Sequence, residues 1–185
     1  MRRIGLWLIA LAVGFGALGL SGYNRLVTGQ QVVKSQWGQV ETQFQRRFDL
    51  IPNLVRTAKA YMEHEKEIFE EIAKARQGYM LAKGAGEKMA AQGEVESALS
   101  RLIAIVENYP NLKANETIQQ LMDELAGTEN RVAVERMRFN RVVAEYNMKV
   151  KRFPTNLTAK LFGFTEEAYI ESAQEAAKAP HVSFD

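Results

Sequence analysis

Residues 33–62 read VKSQWGQVETQFQRRFDLIPNLVRTAKAYM, and within them Val33, Trp37, Val40, Phe44, Phe48, Ile51, Leu54, Ala58 and Met62 recur at steps of three and four. That spacing draws one apolar stripe along an α-helix, whose turn takes ~3.6 residues. Gln, Glu, Lys and Arg fill the opposite face, and no strand-like alternation follows anywhere later in the chain, so the fold is expected to be all-α. Pro52 interrupts the stripe, which leaves two readings. Either one long helix kinks at Pro52, or Asp49 caps a second helix that has Pro52 in its first turn. The same stripe carries on through Ile68, Ile72 and Ala75 to about Met80.

Beyond it, Gly84, Gly86 and Gly93 mark a small-residue connection. A second helix is predicted over 87–107, with Val95, Leu99, Leu102 and Val106 on one face, and it ends at Tyr109-Pro110 because the residue before proline is pushed away from helical geometry. A third begins after the cap Asn115, turns Ile118, Leu121, Leu125, Val132, Phe139, Val143, Tyr146 and Val150 inward, and stops at Phe153-Pro154. Residues 155–162 make a short helix closed by Gly163, and Thr165 caps a last alanine-rich helix to about Lys178. The expected architecture is an N-terminal transmembrane helix over 1–22, then an antiparallel up-and-down helical bundle over 23–185. The bundle has three long helices plus a shorter C-terminal helix, with a membrane-proximal stalk at 23–49 and a C-terminal helix and tail at 165–185.

Lengths pose a difficulty for that bundle. A straight helix over 23–80 would run ~85 Å, and the second helix covers only ~30 Å of it. Val33, Trp37, Val40 and Phe44 would then lack a partner within the chain. Either the chain bends at Pro52 or neighbouring copies cover these four, which makes a homo-oligomer the expected state and these residues its interface.

The N-terminus opens Met1-Arg2-Arg3 and runs through residues 4–20 without a charge. Those seventeen residues reach ~25 Å as a helix, the short end of what crosses a bilayer. Trp7 and Tyr23 stand near its two ends, where aromatic rings favour the headgroup layers. Retention as a span is the leading reading, and a cleaved signal peptide with Ala17-Leu18-Gly19 at the processing site is its rival. Arg2 and Arg3 precede the span, so the N-terminus is expected in the cytoplasm and the bundle outside it. Residues 14–19 match G-x-G-x-x-G by letter, yet that fingerprint needs a preceding strand and a following helix of a βαβ unit, which a run inside a membrane span does not supply, so dinucleotide binding is excluded. Ala12, Gly16 and Gly19 share one face instead and are expected to let helices approach closely in the lipid bilayer.

Composition narrows the chemistry. The 185 residues contain no cysteine, which excludes disulfides and thiolate sites, and only His64 and His181 supply imidazole. Glu63-His64-Glu65 fails the His-Glu-x-x-His pattern because Ile68 stands at the second histidine position, so no metal and no cofactor are expected. Residues 131–152 carry seven basic side chains against two glutamates, whereas 63–74 carry five glutamates against two lysines. Matching between those stretches is the expected role. The aromatics among them, Phe139 and Tyr146, belong to the inward apolar stripe and are not free for base stacking, and no nucleic-acid partner is expected. Arg46, Arg47 and Asp49 beside Pro52 are candidates for a partner surface, although arginines pairing a carboxylate across a helix break are a common structural device. Asn53, Asn140 and Asn147 read equally as buried amides or exposed contacts.

Gln45-Arg46-Arg47-Phe48-Asp49-Leu50-Ile51-Pro52-Asn53-Leu54-Val55 resembles the signature of the LemA family. Tyr23-Asn24-Arg25-Leu26-Val27, Tyr61 through Glu65, Phe139-Asn140, Tyr146-Asn147, Phe153-Pro154, Leu161-Phe162-Gly163-Phe164 and the ending Ala179-Pro180-His181-Val182-Ser183-Phe184-Asp185 fit the same pattern. The resemblance covers nearly the whole chain. It implies a bacterial, membrane-attached, all-helical bundle and brings no catalytic residues. Many similar proteins carry a lipoprotein cysteine after Leu-Ser-Gly, but here Leu20-Ser21-Gly22 is followed by Tyr23. With no thiol to lipidate, attachment rests on the apolar run, which favours the inner membrane.

Together these point to a non-enzymatic, membrane-anchored scaffold or adaptor that self-associates or docks a cell-envelope partner. Two other classes stay open. An enzyme subunit using Glu and Arg needs a cleft with convergent carboxylates. A transmembrane sensory input needs a helix unbroken from the span into the bundle, which a flexible joint at residues 22–29 would rule out.

Overall fold

The computed structural model describes residues 2–62 and 64–170, with side-chain surroundings given at 14, 16 and from 19 onward. Among the described residues the chain is all-α, with six helices: α1 (Arg2–Lys59), α2 (Lys66–Leu81), α3 (Gly84–Val106), α4 (Pro110–Lys113), α5 (Glu116–Lys151) and α6 (Thr155–Phe162). Among these residues no helix is long and apolar enough to cross a membrane. The side chains of residues 2–13, 15, 17 and 18 of the expected span, Ala12 included, lie outside the description.

Of the two readings at Pro52, the break is not found, because α1 runs through the proline to Lys59. Proline forfeits one backbone hydrogen bond, and the apolar stripe on either side holds the helix together. The chain turns instead after Lys59, where the carbonyl of Ala58 accepts from the N–H groups of both Tyr61 and Met62 at 3.0 Å. This corner removes the length difficulty, since 33–80 is two helices. Asn115 caps α5 as expected, its Oδ1 accepting from the N–H of Ile118 at 3.2 Å. At the α2–α3 joint the Glu87 carboxylate accepts the Lys83 N–H at 2.7 Å, and Gly84 takes the left-handed φ of 78° that glycine tolerates without penalty.

The described residues form two compact units, through both of which α1 and α5 pass. The first comprises α1 as far as Gln39 and residues 137–169. Leu26, Val33, Phe139, Val143, Tyr146 and Ala159 are buried in it. Gly29 lets α1 approach α5 closely, for a Cβ there would lie 3.0 Å from Cδ2 of Tyr146. The second comprises residues 40–136 with Ile170. Its core gathers Phe44, Ile51 and Leu54 of α1, Ile72 of α2, Leu99 and Leu102 of α3, and Ile118 and Leu125 of α5. Here α2 packs on α3, Lys88 of α3 pairs with Glu41 of α1, and Arg101 of α3 with Glu71 of α2. Tyr79 of α2 lies 4.3 Å from Phe48 and 5.8 Å from Phe44 between ring centres, and burial, aided by Glu41, pushes its hydroxyl pKa up to about 12.

Two expectations are corrected. Val33, Val40 and Phe44 are not surplus apolar surface, because all three are buried by the chain itself. Trp37 is half-buried, edge-on to Phe139 at 5.7 Å. Nor does Thr165 begin a helix, for residues 164–170 are irregular. The Asn147 side chain holds Glu167 by both backbone groups, donating from Nδ2 to its carbonyl and accepting its N–H at Oδ1, each at 2.9 Å. A helix capped at Thr165 would need that carbonyl for its own ladder. The remainder of the expected last helix, with His181, lies outside the described residues.

Candidate partner-docking surface

Spacing on two helices builds one charged groove in the second unit. On α1, Arg46, Asp49 and Leu50 fall three and four residues apart and so share a face. On α5, Asp123, Glu124, Gly127, Thr128 and Arg131 do the same. These eight residues line an open groove of about 640 Å³. Arg46 and Asp49 are exposed. Asp49 accepts 2.8 Å from Nε2 of Gln45, one turn back, rather than from an arginine. Thr128 turns its hydroxyl to the carbonyl of Leu125 at 2.7 Å. The wall thus offers two guanidinium groups and three carboxylates, a set suited to recognising a partner with charges of both signs.

Arg47 faces the other way. It is buried, with Nη2 3.8 Å from the half-exposed Glu129 carboxylate and with Nε and Nη1 lacking hydrogen-bond partners. Glu129 also shares a hydrogen bond with Glu96 of α3. Burial, the Glu129 hydrogen bond and the Glu129 charge raise the Glu96 pKa against the pull of Arg47 and Arg136. Gln92, one turn before Glu96, is buried with both side-chain polar atoms unpartnered.

Of the residues expected at a partner surface, the structure therefore brings together Arg46 and Asp49, takes Arg47, Val33, Val40 and Phe44 inside and leaves Trp37 half-buried. Gly16 is exposed, Gly19 is half-buried, and nothing lies within 4 Å of a Cβ built on either. Glu71 pairs with Arg101 and Lys151 with Glu166 at 2.7 Å. The expected matching between the acidic and basic stretches is thus not made by these two. Glu65, beside His64, accepts from the Tyr109 hydroxyl at 3.1 Å. Among the described residues no three His, Asp or Glu side chains converge to hold a metal ion. Asp123, Glu124 and Arg131 were not singled out by sequence reasoning. Their signal is a second polar spacing, 124, 128 and 131, beside the apolar stripe of α5.

The LemA family matches residues 36–184, which include every residue of the groove. Magnetosome proteins MamQ 1 and MamQ 2 of Paramagnetospirillum magneticum are each 28% identical over 86% of this chain and 68% of their own length. Magnetosome protein MamQ of Magnetospirillum gryphiswaldense is 27% identical over 91% of this chain and 74% of its own. With its signature residues spread over α1, α5 and α6, and the family match running through both units, this chain belongs to the LemA family.

Proposed function

We propose that this protein is a non-enzymatic helical scaffold, anchored in the inner membrane by residues 4–20, that docks a cell-envelope protein in the groove lined by Arg46, Asp49, Asp123, Glu124 and Arg131. The convergence of five charged side chains from two helices in an open groove carries the reading. The relatives are named for a structure, the magnetosome, and not for a reaction, which supports a non-enzymatic role. Anchoring rests on the uncharged run at 4–20, with the N-terminus cytoplasmic and the bundle on the far side. The small residues Ala12, Gly16 and Gly19 suit close pairing of two such spans, which is the remaining basis for a homo-oligomer.

The test is crosslinking in native membranes with the wild-type chain and with the double variant Arg46→Glu, Asp49→Lys. Both positions are exposed, so helix content should not change. The variant should lose the envelope proteins that the wild type captures. An identical set of captured proteins would refute the groove as the docking site.

One observation favours a second reading, transmembrane sensory input: α1 is unbroken through residues 22–29, with no joint between the apolar run and the bundle. A flexible Gly-Ser insert between Leu20 and Ser21 should leave a docking scaffold working and silence a relay.

A further inference from the structure

α6 packs inside out. Its buried residues are the small ones, Thr158 and Ala159, while Leu157, Leu161 and Phe162 are exposed, Leu161 at 78%. Small size is what its contact with α1 demands, since a Cβ at Gly22 would stand 2.7 Å from Oγ1 of Thr158. The apolar face is continued by Phe153, 74% exposed just ahead of α6, and by Leu20, 70% exposed on α1. Several of these line a cavity of about 530 Å³ whose wall also includes Ser21 and Arg25. A contiguous apolar surface of this kind marks a partner rather than a solvent-facing helix.

Position and charge say which partner. The patch surrounds residue 20, where the uncharged run of α1 ends. Beside it, Arg25 and Lys149 line a second groove of about 540 Å³ with Ser21, Asn24 and Thr28. Both cations are exposed. Ser21 and Arg25 belong to both concavities, so an apolar hollow and a basic one share a rim. Tyr23 bridges the two helices there, its ring 4.9 Å from that of Phe162. Apolar side chains below, an aromatic belt and cations reaching for phosphate are the sequence of groups met across a membrane interface.

We propose that α6 is a second membrane contact. It lies in the interfacial layer of an anionic bilayer, with Phe153, Leu157, Leu161 and Phe162 among the upper acyl chains and with Arg25 and Lys149 on lipid phosphates. The proposal rests on the anchoring reading above, and the two fail differently.

The chain has no cysteine, so Leu161→Cys gives one attachment point for an environment-sensitive fluorophore, and Met80→Cys, 75% exposed in the other unit, gives the control. The full-length variants are reconstituted into vesicles of phosphatidylcholine with phosphatidylglycerol. The label at 161 should emit to the blue and be quenched severalfold more by spin-labelled lipid than by an aqueous quencher, and the label at 80 should show the reverse. Protein that stays with the vesicles under alkaline extraction while 161 behaves like 80 overturns this inference and leaves anchoring intact. That result is also the one expected if a protein partner covers the face. Protein released by alkali while 161 is still quenched by lipid overturns anchoring alone. In pure phosphatidylcholine the quenching at 161 should weaken, and undiminished quenching would overturn the role given to Arg25 and Lys149.

Discussion

Glu96 illustrates what a half-buried acid does at the edge of a helical core. Burial and the contact with Glu129 favour its protonated form, so the folded chain keeps this proton to higher pH than the unfolded chain does. The stability it lends is complete below the ordinary carboxylate value of 4.5. It is lost as pH rises through the raised folded value. Glu96→Gln keeps a hydrogen-bond donor for Glu129 and does not titrate. Its denaturation midpoint should match the wild type in acid and exceed it near neutrality, and equal midpoints across the range would show that Glu96 ionises freely. Asn147 teaches something else. Its sequence left a buried amide and an exposed contact equally open. The partner that decides between them sits 20 residues away in an irregular segment, where no periodicity exists to read. Arg47, in contrast, was within reach of the stripe itself, because it stands three residues after Phe44 and four before Ile51, whereas Arg46 points about 100° away.

Helices were legible to the extent that their apolar stripes were. The start of α5 at Asn115, the stop before Pro154 and the closure of α6 at Gly163, with φ of 73°, all follow from local chemistry. The corner after Lys59 left its mark as a gap, because Met62 and Ile68 stand six residues apart, a step that no single helical stripe makes. Proline at 52 drew attention away from it. The outward face of α6 was also hidden, since a short helix offers too few residues to reveal which side its neighbour wants small. Gly22 now identifies that side. Gly22→Ala should cost about 1–3 kcal/mol through overpacking against Thr158, measured as thermal unfolding of the detergent-solubilised chain. Adding Thr158→Ala removes the Oγ1 and should recover most of the loss. No recovery would mean that α6 is not seated on Gly22.

For the molecule as a whole, the all-α class was readable from one stripe, whereas its division into two compact units was not, because α1 and α5 each pass through both without a break in pattern. The candidate groove was half readable: Arg46 and Asp49 stood out, and their partners on α5 needed the fold. Anchoring makes a prediction at this scale. Material purified from membranes should still carry residues 4–20 and stay in the pellet after alkaline carbonate extraction, as checked by N-terminal sequencing and fractionation. A mature chain starting near residue 20 and recovered in the supernatant would establish the cleaved-signal alternative. The unbroken α1 has one more consequence. Gly22 and Gly29 stand seven residues apart, within about 20° of the same azimuth on the helix, and each is wedged against a side chain, Thr158 and Tyr146. A twist applied at the N-terminal end therefore has no swivel in which to dissipate. It drives both wedges sideways together, as an axle turns two keyed wheels.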